Sequence, residues 1–288
     1  MSRPSSARGA AAPNKAVRQS NPDFIDALAR GLDVIQAFDS ESPEMTLTEV
    51  ARRTGLSPAT ARRCLLTLRD LGYIGVNGRH FLLRSKVLSL GVAFLNSMNL
   101  RDVAEAYLQE LAEAFHDAAS LAVLENSDVV YVAHVPSRRE VRFRVTIGTR
   151  YPAYATSLGH VLLTHLNAPA QEDFLSRAPF PAYTSRTTTK ASELKSIFRS
   201  VKTKGFAAVQ DQLVYGSIAI AVPVANAEGQ VLAAINCSAE TARINMEKLI
   251  ATRLPLLLET ASKISAALAR YPALMHSIMN ENPPGRPV

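Results

Sequence analysis

The stretch TLTEVARRTGLSPATARRCLLTLRDLGYI, Thr46 to Ile74, decides the fold of the first third of the chain. Thr46 followed three residues later by Glu49 is a capping-box signal, and Leu47, Val50 and Ala51 give the ensuing short helix a buried side. Gly55 ends that helix, because glycine enters the left-handed C-terminal conformation without a steric cost. Ser57 then suits an N-cap and Pro58 the first helical position, where a missing N–H leaves nothing unsatisfied. A second helix therefore starts at once. It carries Ala61, Leu65, Leu68 and Leu71 on one face, with Ala59, Thr60, Arg62, Arg63 and Arg69 on the others.

On the N-terminal side, Ile25, Leu28, Leu32, Ile35 and Phe38 recur at spacings of three and four, which predicts a helix with one apolar stripe. On the C-terminal side, GYIGVNGRHFLLR reads as two short strands around an Asn77-Gly78 turn. Three helices, a tight glycine turn between the second and third, then a hairpin make a winged helix-turn-helix over residues 23–84. Between residues 45 and 84 stand seven arginines (52, 53, 62, 63, 69, 79 and 84) against two acidic residues, Glu49 and Asp70. Such a surplus on so small a unit suits a surface that tracks phosphates. The expected contacts with double-stranded operator DNA are Ser57, Ala59, Thr60, Arg62, Arg63 and Arg79. Either arginine of the adjacent pair can read guanine or hold a phosphate, with Thr60 and Ala59 near a thymine methyl.

The whole chain of 288 residues is long enough for two domains, and 47% hydrophobic with 20% charged residues is ordinary globular composition. A formal charge of +7 permits an anionic partner without requiring one. The two cysteines, Cys64 and Cys237, argue against a disulfide scaffold and a thiolate metal site. Residues 1–22 are basic, rich in Ala, Ser and Pro, and too poor in large apolar residues to order; they are expected as a solvated tail or one that brushes DNA phosphates. No secretory signal and no membrane-spanning run is recognisable, so a bacterial cytoplasmic location with no membrane partner is expected.

Beyond the hairpin, residues 85–102 read as a linker helix whose apolar excess suggests pairing with a second copy, hence a homodimer or tetramer. NLRDVAEAYLQELAEAFHDA is an amphipathic helix opening the second domain, residues 103–271, and 272–288 form a flexible tail. SLAVLENSDVVYVAHV contains two strands around the Glu125–Asp128 turn, EVRFRVTIG a third, and SIAIAVPV with QVLAAINCS a hairpin around Asn226–Gly229. Helical patterns cover Ser157–Leu166, Ser192–Lys204 and Met246–Arg270, the last broken at Pro255. Antiparallel pairs with segregated helices read as α+β.

The helix-turn-helix stretch, together with IGTRYPAYATSLGHVLLTHL, SRTTT, VKTKGFA and SIAIAVPVANAEGQVLAAINCS, resembles the IclR family of bacterial transcriptional regulators over residues 24–271. GTRYPAYATSLG and LAAINCS are most similar to its PcaR, PcaU and PobR branch, regulators of aromatic-acid catabolism. The resemblance implies an N-terminal winged helix-turn-helix, a linker helix and a C-terminal GAF-like antiparallel-sheet effector domain. It also implies dimers that form tetramers, and activation or repression, with RNA polymerase as a further partner. It implies an effector such as protocatechuate, 4-hydroxybenzoate or β-ketoadipate, held by Ser157, Leu158, Asp211, Ser217, Ala219, Asn236 and Ser238. Where the branch carries an acidic, arginine-containing stretch resembling DQELELGLRS, this chain has DQLVYGSIA, with Leu213 and Tyr215 in place of carboxylates and Ile218 in place of the arginine.

The residues themselves support part of this. Thr156 and Ser157 open a helix whose free N–H groups and positive dipole end can hold a carboxylate. Asn236 and Ser238 share one strand face while Cys237 points the other way. Tyr215 can stack on a ring or simply pack, and Arg138, Glu140, Arg142 and Arg144 form either a carboxylate-pairing face or a solvated one. His160 and His165 have the wrong spacing for helical metal ligands, so no metal or cofactor is expected. Ser157 and His160 lack a G-x-S-x-G elbow, so no catalytic residue and no enzyme is expected. Cys64 reads as a small core residue. The competing functional readings are an IclR-type regulator of a different carbon source and a DNA-bound oligomeric scaffold without a metabolite.

Overall fold

The computed structural model describes residues 23–39, 41–91, 100–137 and 145–269. These fall into two compact units, residues 23–91 and 100–269. The basic N-terminal tail, most of the expected linker helix, the charged strand expected over Arg138–Arg144 and the C-terminal tail lie outside the described residues.

The first unit contains α1 (Asp26–Gln36), β1 (Glu44–Thr46), α2 (Leu47–Thr54), α3 (Pro58–Asp70), β2 (Ile74–Asn77) and β3 (His80–Leu83). Val34, Ile35, Phe38, Val50, Ala61 and Leu65 form its core. Both expected caps are present: Thr46 and Glu49 make a reciprocal capping box, and Gly55 closes α2 at φ +67°. Ser57 caps α3 with Pro58 in its first turn.

Three local expectations are corrected. The α1 stripe is buried only in its C-terminal half; Ile25, Leu28 and Leu32 are 66%, 61% and 44% exposed, because the core formed by α2, α3 and the hairpin reaches only Val34 to Phe38. Leu71 is also exposed, as the helix cap beyond Asp70, where Gly72 at φ +83° turns the chain away. The hairpin loop is Gly78-Arg79, one residue later than expected, since Asn77 pairs with His80. The three-residue β1, too short for a periodicity signal, adds a third strand to give the order β1-β3-β2.

The second unit runs α4 (Leu100–Phe115), β4 (Ala118–Glu125), β5 (Asp128–Val135), β6 (Arg150–Pro152), α5 (Ser157–Thr164), α6 (Ala168–Ser176), α7 (Ala191–Lys204), β7 (Ala207–Gln210), β8 (Ser217–Ala225), β9 (Val231–Glu240) and α8 (Met246–Leu268). The strands form one antiparallel sheet of order β6-β5-β4-β9-β8-β7. The fold class is therefore α+β. One face packs against α4 and α8 through Leu111, Leu121, Ile220, Ile235, Leu257 and Ile264. The other packs against α5 and α7 through Tyr131, Leu158, Leu163, Leu194 and Phe198.

Helix α8 continues through Pro255, where a break was expected. Leu249 on one side and Leu257, Ala261 and Ile264 on the other are buried, and this packing offsets the one hydrogen bond that proline removes. Val145 to Gly148, the described end of the expected third strand, is loop; the edge strand is β6, paired with β5. Among the described residues no helix is long and apolar enough to cross a membrane.

Candidate functional site

Helix α3 is positioned by its two ends. Ser57 Oγ accepts from Thr60 N–H at 3.2 Å and lies 2.9 Å from Thr60 Oγ1, so both side chains serve the helix cap. Ala61, Leu65 and Leu68 bury the inner face, which leaves Ala59, Arg62 and Arg63 exposed. Arg79 stands exposed in the loop of the hairpin. Arg53 is paired with Asp39, and Arg69 with Asp70. Arg52, Arg62, Arg63, Arg79 and Arg84 have no ion-pair partner among the described residues. Exposed, unpaired guanidinium groups at a helix start and at a wing tip can neutralise phosphates and donate to base edges.

In the second unit, side-chain size differs between the two faces of the sheet. Strands β4, β8 and β9 put Leu121, Ile218, Ile220 and Ile235 on the α4/α8 side. On the α5 side they put Ala118, Ser120, Ala219, Asn236 and Ser238, which leave a cavity of about 220 Å³. Over it stands the start of α5. Thr156 is the N-cap, accepting from Gly159 N–H at 3.0 Å, and the amides of Ser157 and Leu158 have no acceptor among the described residues.

That helix start is held rigidly. Gly159 lies against the preceding turn so closely that a Cβ would come within 2.0 Å of the Ala153 carbonyl oxygen. The buried His160 donates from Nε2 to the Tyr154 carbonyl at 2.7 Å, and desolvation pushes its pKa down to about 4, so the ring is neutral. Tyr154 in turn donates to the Pro181 carbonyl at 2.7 Å and stacks on Phe180.

Of the residues expected around an effector, Ser157, Asp211, Ser217, Ala219, Asn236 and Ser238 all line this one cavity. Leu158 does not; its side chain is in the apolar cluster under α5, and only its backbone amide is available. Ile218, expected in place of an arginine on the pocket wall, is fully buried on the opposite sheet face, because side chains alternate along β8. Leu213 and Tyr215 do line the cavity. Asp211 has its carboxylate engaged: Oδ1 accepts from Gly216 N–H at 2.6 Å, and Oδ2 lies 3.4 Å from Arg186. It closes the loop before β8, at φ +57°. Tyr215 is half exposed, and its hydroxyl is tied to Ser185 at 2.9 Å.

Ser157 and Asn236 line this cavity, and their buried Oγ and Oδ1 have no partner among the described residues. A buried polar atom without a partner carries a cost of about 1–3 kcal/mol that a bound polar group removes. No lysine or arginine lines the cavity among the described residues. An anion would therefore be held by backbone amides and hydroxyls at a helix start. Sequence reading missed Ser120, Tyr131 and His134 on the cavity wall. Ser120 and His134 are single polar residues within apolar strands, a faint signal that becomes meaningful only once the strand register is known.

A winged helix-turn-helix joined to a unit with a polar-ended chamber defines the class of DNA-binding regulators that answer to a small molecule. The IclR helix-turn-helix domain matches residues 27–78, and the C-terminal domain of the bacterial transcriptional regulator IclR matches residues 92–266. The chain is 39% identical to the Pca regulon regulatory protein of Pseudomonas putida over 83% of this chain and 82% of that one. It is 35% identical to the p-hydroxybenzoate hydroxylase transcriptional activator of Acinetobacter baylyi over 84% and 91% respectively. Among solved structures it is similar to the inducer-binding domain of a PobR double mutant from Acinetobacter in complex with 3-hydroxybenzoic acid, with a TM-score of 0.54 and 32% identity over 57% of this chain and 97% of that one. The protein belongs to the IclR family of bacterial transcriptional regulators.

Proposed function

We propose that this regulator controls genes of aromatic-acid catabolism by binding an aromatic carboxylate in the α5 cavity and changing its hold on operator DNA. The observation that carries the reading is the buried Ser157 hydroxyl, without a partner among the described residues, beside the free amides at the start of α5. The carboxylate sits at those amides and Ser157, and the ring lies along the small side chains of β8 and β9. A relative named for p-hydroxybenzoate hydroxylase, and the 3-hydroxybenzoic acid bound in the similar inducer-binding domain of a PobR double mutant, support the ligand class.

Operator contact falls to Ala59, Arg62, Arg63 and Arg79, with Ser57 and Thr60 mainly capping α3. The regulator acts as a homodimer or a pair of dimers. Ile25, Leu28 and Leu32 on α1, with Leu71 and Leu90, give the first unit an apolar face of the kind a second copy covers. The second unit works by ligand-dependent affinity, and RNA polymerase is the partner through which activation would pass.

Thermal unfolding with a panel of aromatic and dicarboxylic acids tests the reading. Saturable stabilisation by hydroxybenzoates is the expected result, and the shift should shrink in Ser157→Ala. No shift with any acid would overturn it and favour a scaffold that holds no metabolite.

A further inference from the structure

The cavity wall carries a polar row that holding a carboxylate does not require. Ser120 on β4 stands directly opposite His134 on β5 and, on its other side, directly opposite Asn236 on β9. All three line the cavity. Their neighbours along the strands, Leu121, Ala133, Val135 and Ile235, belong to the apolar core of the opposite face. Strands are spaced about 4.8 Å apart, so the row extends about 10 Å across the cavity wall.

The row is partly satisfied. Ser120 Oγ lies 3.0 Å from His134 Nδ1, which fixes the imidazole and leaves Nε2 without a protein partner among the described residues. Asn236 Oδ1, at the other end, also has none. Between these two longer side chains the short Ser120 leaves a notch. Burial lowers the proton affinity of His134, so its ring is neutral and divides into one donor and one acceptor nitrogen.

A hydroxyl is a small group that both donates and accepts. Seated in the notch, it donates to Asn236 Oδ1 while pairing with His134 Nε2. We propose that His134, oriented by Ser120, acts with Asn236 as a reader of a ring hydroxyl, which makes the cavity select hydroxylated aromatic acids over unsubstituted ones. This rests on the reading of the cavity as the effector site. The physical basis of the selection is asymmetric: an acid without the hydroxyl leaves two buried polar atoms unpaired, whereas a hydroxylated one satisfies both.

Isothermal titration of the full chain with benzoate, 4-hydroxybenzoate and 3,4-dihydroxybenzoate tests the inference on wild type, His134→Leu, His134→Gln and Ser120→Ala. Wild type should prefer a hydroxylated acid over benzoate by about tenfold or more. His134→Leu should bring that ratio to within about threefold with benzoate affinity kept or raised, and His134→Gln, which retains a donor and an acceptor, should preserve part of the preference. Ser120→Ala should fall between wild type and His134→Leu. An unchanged ratio in His134→Leu overturns the proposal, as does equal wild-type affinity for all three acids. An equal loss for every acid marks His134 as structural and also overturns it, while leaving the effector site standing. Binding of a dicarboxylic acid but no aromatic acid would do the same. No binding of any acid would remove the effector-site reading itself.

Discussion

The two units prepare for anions in opposite ways. The helix-turn-helix unit leaves five arginines, Arg52, Arg62, Arg63, Arg79 and Arg84, in water and without ion-pair partners among the described residues. The second unit lines its chamber with no lysine or arginine among the described residues, and offers amide groups, hydroxyls and an amide side chain inside a shielded space. On the proposed function, the difference follows from what is bound. A polyanion is held by many cations on an open surface, each contact releasing counterions. A single carboxylate is held by fixed dipoles where little water competes, so net charge need not be buried. Operator binding should accordingly weaken steeply with salt, and effector binding only slightly.

The largest expected effect tests the rigidity of the dipolar site. Gly159→Ala forces a Cβ into the Ala153 carbonyl, a backbone atom that cannot step aside, and should destabilise the second unit by more than about 4 kcal/mol by denaturant unfolding. A near-normal transition would show that the start of α5 is less tightly seated than its geometry implies. At the cationic site, Arg62→Ala and Arg63→Ala should each weaken operator binding by about 1–3 kcal/mol where the arginine meets a base. Where it meets a phosphate, each should lower the salt slope by about one. An undiminished affinity with an undiminished slope would remove α3 from the interface.

The smallest effect concerns the buried His160 beneath the cap. Its folded pKa of about 4 lies below the ordinary histidine value of 6.5, so the unfolded chain takes up a proton between these values and the folded one does not. Stability is therefore complete above pH 6.5 and lost as pH falls toward about 4. The loss should be under about 1 kcal/mol near pH 6. Melting curves across this range should flatten in His160→Gln, and identical slopes in the two proteins would contradict the assignment.

The same contrast governs what the sequence reveals. The helix-turn-helix is written in local signals: Thr46 with Glu49, Gly55, Ser57 with Pro58, each acting within one turn of its own position. The chamber depends on register between distant strands. Residue spacing alone places Asn236 and Ser238 on one face, but not beside Ser120 and His134, more than a hundred positions earlier. The arginine position taken by Ile218 misled for the same reason, since one step along β8 exchanges cavity for core. Short edge strands such as β6 and β7 hold too few residues for a period to show. The exposed half of the α1 stripe looked like core because periodicity reports an apolar face and not what covers it.

The central claim is that occupancy of the α5 chamber changes operator affinity. Fluorescence anisotropy of labelled operator DNA, with and without saturating 4-hydroxybenzoate, measures this directly when wild type is compared with Asn236→Leu. Wild-type operator affinity should change by about fivefold or more and the variant's not at all, with its effector-free DNA binding staying normal. A ligand response that survives in Asn236→Leu would contradict it.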